Sequence, residues 1–162
     1  MTKNNIKSKK GFTIIEVVLV LAIAGLIFLM VFIALPALQT SQRDTQRRDD
    51  MARFASQLQN YSANNRGKVP GEKEWGSFVS AYLAGKDGDE FVDPDGNNYT
   101  VEYVGSFGNN TAENDKNLPF DHKIYVYQYA ECDGEDAVKS TGDRKIAFRY
   151  KLESAGIYCG TN

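Results

Sequence analysis

A carboxylate inside an apolar run is the residue in this sequence best placed to do chemistry: Glu16 stands among Ile14, Ile15, Val17 and Val18. An acid within a membrane-length apolar segment is costly even on lenient insertion scales. By default it marks a function, and its natural partner is a cation brought to the same depth by another chain. The blander reading leaves Glu16 in the headgroup region, a few residues from Lys10. Cys132 and Cys159, both in the last third, read as one disulfide if the chain is exported, against the alternative of two free buried thiols. Asp87, Asp89, Asp93 and Asp95 crowd one stretch without the order of an EF-hand, and a plain acidic loop is the simpler reading. The sole histidine, His122, lacks acid-base partners, and no nucleophile motif or phosphate-binding glycine loop is present. An enzyme is the least supported class, and these residue types point to no cofactor.

The elements that must position Glu16 come first. From Ile14 to Leu38 the chain is almost wholly Ile, Val, Leu, Ala, Phe and Met, broken by Glu16, Gly25 and Pro36. That is enough for a membrane-crossing helix, which needs about 20 apolar residues. Lys3, Lys7, Lys9 and Lys10 precede it with no acid among them, so the positive-inside rule keeps the N-terminus cytoplasmic and sends the remainder outward. Removing those four cations from a formal charge of -2 leaves about -6. A mildly acidic remainder argues against a general nucleic-acid coat, although a local basic patch stays open. A secretory signal peptide fits poorly. Its only neat cleavage site, Ala22-Ile23-Ala24, would leave a strongly apolar segment at the new N-terminus.

Lys9-Lys10-Gly11-Phe12-Thr13-Ile14-Ile15-Glu16 resembles the type III signal of class A type IV prepilins. The resemblance implies that a prepilin peptidase cuts after Gly11 and N-methylates the new first residue, Phe12, while Glu16 registers an incoming subunit. The physics agrees, because cleavage creates a cationic α-amine at Phe12 that can neutralise the Glu16 of a neighbour. Gly25 and Pro36 are the helix-weakening positions, Gly through backbone entropy and Pro through a lost hydrogen bond. Gly25 matches the family's usual glycine, whereas Pro36 falls about a turn later than the usual proline, so whether the helix unwinds between them is left open.

Beyond Pro36, Met51, Phe54, Ala55, Leu58 and Tyr61 keep a helical period and predict one buried stripe. Arg43, Arg47, Arg48 and Arg53 alternate with Asp44, Asp49 and Asp50, so these charges can pair along or between helices, with a solvated helical surface as the blander reading. The helix should end near Asn64, Asn65 and Gly67, and a shorter helix should cover Glu74 to Ala84 with Gly85 as its stop. Strands are expected at 99–104, 123–130, 145–152 and 157–159. The expected fold is α+β and pilin-like: a long N-terminal helix whose second half packs on a small antiparallel sheet. Its parts are a leader at 1–11, a transmembrane or filament-core helix at 12–38, an amphipathic second half at 39–66 and a globular head at 67–162.

Asp93-Pro94-Asp95-Gly96-Asn97-Asn98-Tyr99 has the chemistry of a turn and also resembles the D-P-x-G-x-x-Y stretch of major pseudopilins of type II secretion. That resemblance implies a calcium ion in the head as one alternative to a plain acidic loop, with Asp87, Asp89, Asp93 and Asp95 as its candidate ligands. The pilin resemblance implies a chain that is single-pass in the cytoplasmic membrane before assembly and then part of an extracellular filament. Its implied partners are copies of itself, minor pilins, the prepilin peptidase and a membrane assembly platform with a cytoplasmic ATPase. A pilus subunit serving adhesion, motility or DNA uptake is the leading expectation, followed by a secretion or competence pseudopilin and then a signal-anchored protein that never polymerises. DNA is an open but unsupported partner.

Overall fold

The structure is a computed structural model and describes residues 11–85, 90–107 and 117–162. It divides into two compact units, Met1–Gln39 and Thr40–Asn162. A single helix, α1 (Ile14–Asn64), contributes to both. In the first unit its apolar residues are exposed on every side, from Ile14 and Ile15 to Leu35 and Leu38. Among the described residues α1 is the helix long and apolar enough to cross a membrane. It is continuous through Gly25 and Pro36 in the isolated chain.

In the second unit α1 buries the expected stripe. Met51, Phe54 and Leu58 are fully enclosed, and Ala55 and Tyr61 pack against them. Phe54 is the hub, with its ring 4.9 Å from Phe148, 5.6 Å from Phe78, and 6.3 Å from both Trp75 and Phe91. Aromatic pairs at such separations add to the burial of their area, so this cluster dominates the core. α1 ends where Arg66 and Gly67 both adopt left-handed backbone (φ 58° and 77°). Gly67 donates its N–H to Ser62 O, which satisfies a terminal carbonyl of the helix. The second helix is short: α2 (Trp75–Phe78) runs into a π-helical turn, Val79–Leu83.

Among the described residues six strands follow: β1 (Thr100–Ser106), β2 (Lys123–Gln128), β3 (Ala130–Asp133), β4 (Asp136–Lys139), β5 (Ile146–Lys151) and β6 (Ile157–Thr161). The main sheet has the order β1-β2-β5-β6. β5 pairs antiparallel with β2 and β6, but β1 and β2 are parallel, which corrects the all-antiparallel expectation. Residues 107–122 separate β1 from β2, and a connection of a dozen residues or more is what a parallel return requires. The strand expected to reach residue 130 breaks at Tyr129, whose φ is 58°. The chain then leaves the sheet for the β3-β4 hairpin. Cys132 of β3 is disulfide-bonded to Cys159 of β6 and so ties the hairpin to the main sheet. With the cysteines separated by 27 positions, that link stabilises the fold by roughly 3 to 4 kcal/mol in the chain-entropy description.

Candidate functional site

At the start of α1, Thr13 and Glu16 satisfy one another. Glu16 Oε2 accepts hydrogen bonds from Thr13 N and Thr13 Oγ1, both at 2.8 Å, and Glu16 N donates to Thr13 Oγ1 at 3.4 Å. This is a capping box: a threonine at the helix cap and a glutamate three residues on use their side chains to meet otherwise orphaned N–H groups. The pattern Thr13-x-x-Glu16 is itself the sequence signature of such a box, a role of Glu16 beyond the membrane cost of its charge. Phe12, 91% exposed, precedes the box, and a side chain at Gly11 would meet nothing. Phe12, Glu16, Val17, Val20 and Leu21 line one largely apolar groove of about 500 Å³. Glu16 therefore lies where an incoming cation could reach it, flanked by surface that favours an apolar neighbour.

The N-terminal segment also matches a protein family: residues 6–32 fit the prokaryotic N-terminal methylation motif. The chain carries the type IV pilin/pseudopilin signal motif. That motif spans Gly11, Phe12, Glu16 and Gly25 and leaves the whole second unit outside it. No curated protein and no solved structure matches the chain.

The second unit holds a buried charge cluster, so for Arg47 and Asp44 pairing replaces the blander expectation of a solvated surface. Arg47 is fully buried. It donates from Nε and Nη2 to the two oxygens of Asp93, each at 2.7 Å, and from Nη1 to Asp44 at 3.0 Å and Glu153 at 2.9 Å. Its guanidinium also lies over the Phe120 ring, 4.8 Å from the centroid. Asp44 accepts the backbone N–H groups of Glu153 and Ser154, and Arg43 grips Glu153 with two further bonds. The cluster thus ties α1 to the turn between β5 and β6. Its signal lay in the stripe itself, since positions 44 and 47 continue 51, 54 and 58 backward at helical spacing.

Asp93, expected as a calcium candidate, is thereby committed to Arg47 and to Tyr150, whose hydroxyl donates to it at 2.7 Å. Asp95 and His122 stand nearby, with potential ligand atoms of the three within 4.8 Å of one another. A cation bridging them would have to compete with the guanidinium for Asp93. Asp87 and Asp89 lie outside the described residues.

Burial alone would raise the Asp93 carboxyl, but its bonds from Arg47, Tyr150 and Asp95 N hold it well below the usual carboxylate range. Burial likewise opposes, and the Ser154 and Glu153 bonds overcome, at Asp44, which is also lowered. The Arg43 and Arg47 bonds bring Glu153 down to about 2. Lowered acids contribute stability that is complete above their unfolded pKa, near 4, and is lost as pH falls through the folded value. Asp50, raised first by burial, partly offsets this with the opposite sign. The detergent-solubilised chain should therefore keep a level unfolding midpoint down to about pH 4 and lose it steeply between roughly pH 4 and 2. A thermal melt series in that window checks this, and an unchanged midpoint at its acid end would contradict it.

Proposed function

We propose that this chain is a structural subunit of a type IV pilus filament, processed by a prepilin peptidase and polymerised through its N-terminal helix. The observation that carries the reading is α1 itself. It carries most of the methylation motif, and from Ile14 to Leu38 its apolar surface is left exposed by the described residues, with one carboxylate, Glu16, at its start. Such a surface needs either lipid or sister helices. Before cleavage, the lysines hold the segment at the cytoplasmic face of the membrane. After cleavage the new amine at Phe12 neutralises the Glu16 of a neighbour, and two costly buried charges become one pair. Gly25 leaves a notch with nothing within 4 Å of a would-be Cβ, and small residues of this kind let helix backbones approach closely. Minor pilins, an assembly platform and a cytoplasmic ATPase complete the machinery. The chain itself performs no catalysis on this reading.

A pseudopilin of a secretion apparatus uses the same signal. The turn at Asp93–Tyr99 favours it, as Tyr99 is buried there and donates its hydroxyl to Asp50 at 2.9 Å. Intact-mass measurement on shed surface fibres is the direct test. The expected species starts at N-methylated Phe12 and contains the Cys132–Cys159 bond. Recovery of the chain only from membranes, with residues 1–11 still attached, would overturn the polymer reading, while mature chain confined to the periplasm would transfer it to the pseudopilin.

A further inference from the structure

The second unit carries opposite charges at two separate places along α1. Just past the end of the helix, Arg66 and Lys68 are exposed on a cleft of about 380 Å³. Arg144 joins them, because a Cβ at Gly67 would sit 2.6 Å from its Nη1. Gly67 leaves room for that guanidinium between its neighbours. None of the three cations makes an ion pair among the described residues, and the acid lining the cleft, Glu74, is already engaged by Gly71 N and the Tyr61 hydroxyl. This is a concentration of unneutralised positive charge on a chain that is acidic without its leader.

Earlier on α1, Gln46, Asp49, Asp50 and Pro94 line an open groove of about 500 Å³. Asp49 is exposed. Asp50, partly buried, lines the same groove beside Asp49; burial first, then the charges of Asp93 and Asp49, raise its carboxyl against the Tyr99 hydrogen bond and the nearby Arg53 charge, so the groove offers two carboxylates to an incoming cation. We propose that the Arg66, Lys68 and Arg144 cluster of one copy docks into the Asp49 and Asp50 groove of a second copy. The two patches differ, so the contact is head-to-tail and repeats without closing, as an open filament requires. It rests on the polymer reading and adds to it a contact between heads. At about 1.5 Å per residue the patches lie roughly 25 Å apart along the helix, whereas Phe12 and Glu16 are separated by only about 6 Å. The head contact therefore joins a different neighbour from the one that supplies the amine, and each subunit is held at two offsets.

Charge reversal in cells making the full chain tests this. Arg66→Glu and Asp49→Lys should each lower sheared filament yield by about tenfold or more, because like charges then meet across the contact. The double variant restores opposite charges in swapped positions and should recover most of the yield. Membrane level and an intact disulfide on non-reducing blots control for folding. Wild-type yield from either single variant, or a double variant no better than the singles, overturns the contact. So does an Arg66→Glu filament of normal abundance that has lost only its retention on duplex DNA, which would make the cluster a polyanion surface. A wild-type chain that forms no filaments overturns the polymer reading itself.

Discussion

Glu16→Ala chains should accumulate in the membrane at or above the wild-type level yet fall by about tenfold or more in the sheared filament fraction, which corresponds to roughly 1.4 kcal/mol of lost assembly free energy. The direction follows from the two environments of the carboxylate. In lipid the acid is a liability, so its removal favours the stored state. In the proposed assembled core it answers the α-amine of a neighbouring Phe12, so on that reading its removal leaves the amine without a counter-charge. Glu16 also closes the capping box with Thr13, and alanine loses both roles at once. Glu16→Gln separates them, because glutamine serves the box as glutamate does but carries no charge. Filament yield from Glu16→Gln should stay close to that of Glu16→Ala. A glutamine variant with wild-type yield would show that the cap, not the charge, is what assembly needs.

Arg47→Ala should destabilise the second unit by roughly 3 to 5 kcal/mol, the usual cost of leaving a buried charge without its partner. Asp93 is nearly inaccessible, and both its oxygens depend on Arg47. Asp44 and Glu153 lose a donor as well. The single tryptophan, Trp75, is buried against Phe54 and reports the transition by fluorescence in denaturant titrations of the solubilised chain. Arg47→Ala combined with Asp93→Asn should recover part of the loss, because a neutral amide is cheaper to bury than an unpaired carboxylate. A loss below about 1 kcal/mol for Arg47→Ala would mean that the cluster behaves as a surface ion pair.

The N-terminal half of the case was legible because its signals are local. A bilayer or a bundle of sister helices reads length and hydropathy, so Ile14 to Leu38 declared itself without any knowledge of the head. A processing enzyme reads a short linear stretch, so Gly11, Phe12 and Glu16 stood out together. The stripe of Met51, Phe54 and Leu58 was likewise visible, since a helix repeats every 3.6 residues whatever it packs against. Tertiary structure decided what depends on distant partners. Arg47 looks like any arginine of a charged helix until Asp93 and Glu153 arrive from 46 and 106 residues away. The parallel pairing of β1 with β2 depends on the path of a long connection, to which strand alternation is blind. The β3-β4 hairpin carries few large apolar residues. It is held instead by the Cys132–Cys159 bond and by Arg149, which reaches from β5 to donate to Glu135 O at 2.9 Å. Sequence by itself thus determined the membrane-length apolar segment and the methylation motif, because each is written in contiguous residues. Which charges are buried and which remain exposed was settled only when folding brought separated segments together.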